Sequence, residues 1–258
     1  ALLAKEGVPV TLLEAHHQTG GCAGTFRRGP WTFDVGATQV AGLEPGGSHE
    51  RLFRHLGVAL PEADILNPGC VVDLDDGSPP IPLWHNAAHW QREREEQFPG
   101  SSRFWSLCSA IHASNWNFAG RDPIVTPRSL WDWRQLLGAL RPGTIASGLL
   151  TTLTIADLLT LCGCHQDQRL RRFLDLQLKL YSQEPADRTA ALYGATVLQM
   201  AQAPLGLWHL RGSMQVLSDR LIEAIERDGG QLLLRHRVTR LHRATDHWCV
   251  QTSTRAGT

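Results

Sequence analysis

The chain has 258 residues, 42% of them hydrophobic and 19% charged, with 25 basic and 25 acidic side chains in balance. That composition supports a sizeable core and excludes a disordered chain, while the balanced charge argues against nucleic acid as the main partner. No apolar run reaches the roughly 18 residues a spanning helix needs, and Ala1 falls inside an amphipathic segment with no basic leader.

In chain order, ALLAKEG at 1–7 reads as the last turns of a helix stopped by Gly7. Val8–Leu13 is a β-branched run that reads as a strand, and Glu14 follows it. Residues 18–47 are dense in glycine, yet Phe26, Trp31, Phe33, Val35 and Val40 are interleaved, so the expectation is a largely irregular but ordered loop. Cys70–Leu83 alternates as a hairpin around Asp75-Asp76-Gly77-Ser78, and Asn86–Gln97 is a charged helix.

From Pro99 to about Pro204 the apolar period is helical, with stops at 120–123, 141–143 and 162–164. After a connector at Leu205–Gly212, Ser213–Arg227 reads as a helix ending at Gly229-Gly230. Strands at Gln231–Arg235, Arg237–His242 and His247–Thr252 follow, and Ala256-Gly257-Thr258 reads as a hairpin turn. With no initiator Met and a turn at the last residues, both ends read as breaks in a longer protein.

The six cysteines form no CxxC pair, which fits reduced thiols rather than a disulfide framework or a metal centre. Cys22 reads as a small packing residue. Glu14 is the sharpest single position. An acid at the end of the second strand of a dinucleotide-binding fold accepts hydrogen bonds from the adenosine ribose, about 20 residues after a glycine fingerprint that here would lie upstream of Ala1. Alone, it reads equally well as an ordinary acid after a strand.

Two stretches carry a resemblance. VTLLEAHHQTGGCAGTFRRGPWTFDVGATQ, with Glu14, Gly20-Gly21, Gly24 and Phe33-Asp34-Val35-Gly36, resembles the start of the phytoene desaturase and carotenoid isomerase family of flavoproteins. GLWHLRGSMQVLSDRLIEAIERDGGQLLLRHRVTRL resembles that family's return to its FAD domain through a glycine-led helix. YSQEPADRTAALYGATVLQMAQAPLGLWHL, at 181–210, is similar to the cyanobacterial carotenoid C-3',4' desaturase group. Many relatives have Arg after the Gly-Gly pair where this chain has Cys22, which puts one phosphate-side contact in doubt.

The resemblance implies an α/β fold, α+β overall. A Rossmann-like FAD-binding domain, 1–69 and 206–258, would be interrupted by a hairpin-plus-helices substrate domain at 70–205. It implies FAD held by Glu14, Gly20, Gly21, Gly24, Asp34, Gly36 and the Val238 backbone, with a carotenoid as substrate. A desaturase would pass a hydride from an allylic carbon to the flavin and lose a proton from the neighbouring carbon. A cis-to-trans isomerase with the same cofactor is the alternative. A non-catalytic isoprenoid binder of the Rab escort and GDP-dissociation-inhibitor architecture is the rival from another class. No catalytic base and no oligomeric state can be named from the sequence, and a chain lacking the glycine fingerprint is expected to be inactive by itself.

Seven tryptophans between 84 and 208 suit an apolar substrate tunnel, although any one of them reads first as core. RSLWDWRQLLGAL and the residues after it, the 128–150 region, mix Trp, Leu and Arg as interfacial helices do. A lipid-soluble substrate would then place the protein peripherally on the cytoplasmic side of a membrane.

Overall fold

The computed structural model describes residues 1–254, so the turn read at Ala256-Gly257-Thr258 lies outside the described residues. The chain divides into two compact units, Ala1–Leu66 with Leu207–Thr258, and Asn67–Gly206.

The chain opens with α1 (Leu2–Lys5), which ends as Gly7 takes φ 78°, and with β1 (Thr11–Leu13). A short 3-10 turn at Gly21–Ala23 leads into β2 (Thr25–Arg28) and β3 (Trp31–Asp34), paired antiparallel. The irregular loop expected at 18–47 is therefore built around a hairpin. Its tip is Gly29-Pro30, and Phe26 stacks on Phe33 with ring centroids 5.3 Å apart. Also not foreseen were α2 (Ser48–Leu56), which buries Phe53 and Leu56, and β4 (Ala63–Ile65).

The second unit starts with β5 (Val71–Val72) and β6 (Ile81–Pro82). The hairpin foreseen at 70–83 is present, but Val71↔Pro82 and Val72↔Ile81 are its paired residues. Pro79, Pro80 and Pro82 have no N–H to donate to a longer ladder, and Asx turns at Asp73 and Asp76 fold the loop between.

Seven helices follow: α3 (Ala87–Gln97), α4 (Ser102–Ala119), α5 (Leu130–Ala139), α6 (Pro142–Gly148), α7 (Ile155–Cys162), α8 (Gln168–Ser182) and α9 (Ala191–Val197). Four of these seven starts carry a side-chain cap. Ser129 with Asp132, and Thr154 with Asp157, close reciprocal capping boxes at α5 and α7, each such cap contributing about 1 kcal/mol.

The core of this unit is aromatic. Phe173 of α8 lies against Phe98, Trp90 and Trp105 at centroid distances of 5.1, 6.2 and 6.5 Å. Helices α7 and α9 meet at Gly194, where a Cβ would come within 2.4 Å of the Ile155 side chain, so only glycine permits this approach.

The first unit resumes with β7 (Trp208–Leu210), α10 (Gln215–Arg227), β8 (Gln231–Leu233), β9 (His236–Arg243) and β10 (Trp248–Thr254). β8 runs parallel to β1 in the register Thr11↔Gln231, Leu12↔Leu232, Leu13↔Leu233. A parallel pair needs a crossover, and α10 leads into β8 through Gly230, where a Cβ would meet Ile225 at 2.5 Å. The strand foreseen as Gln231–Arg235 stops at Leu233, because Arg235 adopts φ 60° and turns the chain into β9. β9 and β10 form an exposed antiparallel hairpin with a bulge at Gln251/Thr252. β4 pairs with β7, and Val40, Leu43, Leu210 and Met214 form a small core beside them.

Candidate cofactor site

At the carboxyl end of β1, Glu14 is tied to the end of β8 through its main chain. Its N–H donates to Leu233 O at 3.0 Å, and its carbonyl accepts from His236 N at 2.8 Å. The carboxylate turns back on its own loop, where Oε1 accepts from His16 N at 2.8 Å. Oε2 has no hydrogen-bond partner among the described residues.

Beside it lies a depression of about 340 Å³ lined by Ala15, His16, Arg235, Arg237 and Ser253. A second depression, of about 560 Å³, lies between the Gln18 loop, α10 and β8. Gln215 lines it, and its buried Oε1 has no hydrogen-bond partner.

The glycines divide into two kinds. Gly20 (φ 111°), Gly24 and Gly36 are demanded by backbone packing: a Cβ would come within 3.0 Å of Gly24 Cα, Gly21 O and Cys22 O respectively. Gly21 (φ 53°) has no atom within 4 Å of the Cβ position, so it keeps an open backbone face at the loop.

Asp34 Oδ1 accepts from Met214 N at 3.0 Å and from Thr25 Oγ1 at 3.2 Å, and so fastens the β2–β3 hairpin to the start of α10. Val238 stands apart from these residues in sequence, on exposed β9, paired with Thr252. Cys22, read as a packing residue, is exposed. What packs is its carbonyl, which accepts from Ala37 N and faces Gly36.

The tryptophans separate by place rather than forming one lining. Trp90 and Trp105 are core, and the Arg94 guanidinium stands over both rings at 5.5 and 5.1 Å; burial pulls its pKa down from the ordinary arginine value. Trp84 donates to Glu93, Trp116 stacks on His112, and Trp131 and Trp133 face solvent. A cavity of about 370 Å³ in this unit is lined by Gln91, Arg94, Glu95, Trp105 and four serines, a polar wall unsuited to a polyene.

The sequence reading missed a second group. Gln202 is 5% exposed, and neither its amide oxygen nor its nitrogen has a partner; His85 Nε2 and Gln199 Nε2 are likewise buried and unpaired. The backbone joins two of these segments through Ala203 N donating to His85 O at 2.9 Å. The signal available was two glutamines inside the apolar LQMAQAPLGLW run. All six cysteines are free thiols, and burial pushes Cys70, Cys108, Cys162 and Cys164 up, away from nucleophilic character.

A strand-end acid beside a parallel pair fits a dinucleotide-binding α/β fold. The whole chain, residues 1–258, matches the family described as flavin containing amine oxidoreductase, and it belongs to that family.

It is 24% identical over 248 residues to all-trans-retinol 13,14-reductase of Danio rerio, an alignment covering 93% of this chain and 39% of that protein. It is 25% identical over 235 residues to phytoene desaturase of Neurospora crassa, covering 89% and 38%. The chain thus spans less than half the length of the curated relatives it matches.

Among solved structures, the PF1083 protein from Pyrococcus furiosus superposes with a TM-score of 0.58 at 17% identity, over 92% of this chain and 48% of that one. Wild-type putrescine oxidase bound to putrescine gives 0.57 at 17%, over 97% and 50%. At such identities these speak for the fold, a Rossmann-like FAD-binding architecture, and FAD is the cofactor of the family. The free Glu14 oxygen, the open face of Gly21 and the polar depression beside β1 fit the adenosine half of that cofactor.

Proposed function

We propose that the protein is an FAD-dependent oxidoreductase of isoprenoid polyenes, a carotenoid desaturase nearest the C-3',4' type. The observation that supports this most is that both relatives aligned over about nine-tenths of the chain are named for polyenes, retinol and phytoene. When bound, the flavin supplies the hydride acceptor.

The residues of this chain bind and orient. Glu14 Oε2 accepts from a ribose hydroxyl, Gly21 offers its uncovered backbone to the cofactor, and the Val238 main chain lies beside the adenine. Gly20, Gly24 and Gly36 hold the loop in shape, and Asp34 fixes the hairpin against α10. In this reading residues 1–69 and 206–258 carry the cofactor, and 70–205 carry the substrate. A polyene has no group to grip, so the substrate unit contributes positioning and exclusion of water.

The test is product analysis after expression of the complete gene in cells that accumulate lycopene-type carotenoids. Desaturation gives a product poorer by H2. An unchanged mass with altered double-bond geometry indicates the isomerase instead, and a product richer in H2 indicates electron flow in the direction of the retinol reductase. A co-purified isoprenoid without flavin and without conversion would indicate a binder and overturn the proposal.

A further inference from the structure

Glu44 is the one acid among the buried polar residues described. It is 6% exposed, and its Oε2 has no hydrogen-bond partner among the described residues. A carboxylate oxygen held away from water is costly unless a donor meets it. The surrounding loop is nevertheless built to hold it there. Gly42 (φ 87°) and Gly46 (φ 81°) turn the backbone, Gly42 O accepts from His49 N at 2.9 Å, and Gly47 N donates to Glu44 O at 2.8 Å. Gly47 closes on the side chain, so that a Cβ there would stand 2.8 Å from Glu44 Cδ. His49 does not neutralise the acid: the Glu44 charge raises the imidazole pKa, but burial outweighs it and pulls the value below the ordinary one.

A second unpaired group stands on the same core. Leu43, next to Glu44, packs with Val40, Leu210 and Met214, and Trp208 lies against this cluster with its buried Nε1 unpartnered. Ala23 of the glycine loop packs on the same cluster. The loop is tied to it again where Ala37 N donates to Cys22 O and Met214 N to Asp34 Oδ1. An open acceptor and an open donor therefore share one core with the glycine loop of the candidate cofactor site.

Such a pair is met by a ligand that offers N–H and C=O side by side. The ring edge of a flavin carries that pattern, an N–H between two carbonyl oxygens, while Glu14 serves the adenosine end of FAD. We propose that Glu44 and Trp208 hold the flavin ring: Glu44 Oε2 accepts from the ring N–H, and Trp208 Nε1 donates to a carbonyl oxygen beside it. The carboxylate then places negative charge next to the ring and disfavours its electron-rich reduced form. This assignment rests on FAD as the cofactor and on the adenosine end at Glu14, and it is independent of the substrate.

The experiment titrates the complete protein, freed of flavin, with FAD and with ADP, and measures the midpoint potential of the bound flavin. Glu44→Leu should weaken FAD binding at least about tenfold and leave ADP binding unchanged. Trp208→Phe should weaken FAD about three- to tenfold, again without effect on ADP. Glu44→Gln keeps an acceptor but loses the charge, so it should bind FAD within about threefold of wild type and raise the potential. If Glu44→Leu misfolds, the potential of Glu44→Gln decides alone. Equal FAD affinity in folded Glu44→Leu, or an unchanged potential in Glu44→Gln, overturns the proposal and leaves FAD as the cofactor. Loss of ADP binding along with FAD in a folded Glu44→Leu would make Glu44 a support of the whole site and overturn it equally. A wild-type protein that takes up no flavin would overturn the cofactor assignment, and this one with it.

Discussion

Glu14 Oε2 meets no donor among the described residues, and a ribose hydroxyl offered to an ionised carboxylate makes a charge-assisted bond of roughly 1.5–3 kcal/mol. Glu14→Ala in the complete protein should therefore weaken FAD binding about ten- to a hundredfold, with Glu14→Gln between that and wild type. Flavin titration of the apoprotein reads this directly, and equal affinity in Glu14→Ala would make the acid a mere strand-end residue.

Gln202 is the opposite case, a buried amide whose oxygen and nitrogen are both unpaired. An unsatisfied buried polar group costs about 1–3 kcal/mol, so Gln202→Leu should raise the denaturant midpoint of the ligand-free protein. A lower midpoint would mean that the amide is satisfied there after all. The place of Glu14 was legible, one residue past a β-branched run and at the end of β1. Gln202 was harder to read, because two glutamines inside an apolar run do not say which of them is buried without a partner.

At the scale of elements, packing of α4 against α9 makes stability pH-sensitive. His112 of α4 lies with Nδ1 3.2 Å from Thr196 O, where Nδ1–H donates, and its ring stacks on Trp116. Burial pulls its pKa below the ordinary histidine value, and the hydrogen bond only partly opposes this. Burial does the same to His49 at the start of α2, with Glu44 opposing.

A folded-state value below the unfolded one means that the unfolded chain binds more protons. Their contribution to stability is thus complete above about pH 6.5 and is lost as the pH falls from there through the lower folded-state values. Urea midpoints should fall on mild acidification, and His112→Gln should flatten the slope. A midpoint that holds or rises would contradict the assignment.

The helices of the second unit were legible from their period and from caps such as Ser129 and Thr154. The β2–β3 hairpin was obscured because its glycine-rich surroundings resemble a loop and TFRR has no alternation to betray a strand. α2 was missed because SHERLFRHL is mostly polar, with Phe53 and Leu56 as its buried anchors.

At the scale of the molecule, the mixed α/β class was legible in the helix–glycine–strand–acid order at the start and the helix–Gly-Gly–strand order near the end. The parallel pairing of β1 with β8 joins those two stretches. What the sequence could not supply was the fate of each tryptophan. Trp90 and Trp131 both sit in helices with similar neighbours, and only the packing of Phe173 against the first puts one in the core and leaves the other in solvent.

As proposed, the complete protein holds a flavin that takes hydride from an apolar polyene. Anaerobic mixing of the flavin-loaded protein with a carotenoid in detergent, followed by the flavin absorbance, tests that claim most directly. The account predicts bleaching of the oxidised flavin band in step with formation of a carotenoid poorer by H2. An oxidised band that persists with the carotenoid bound, and no desaturated product, would contradict it.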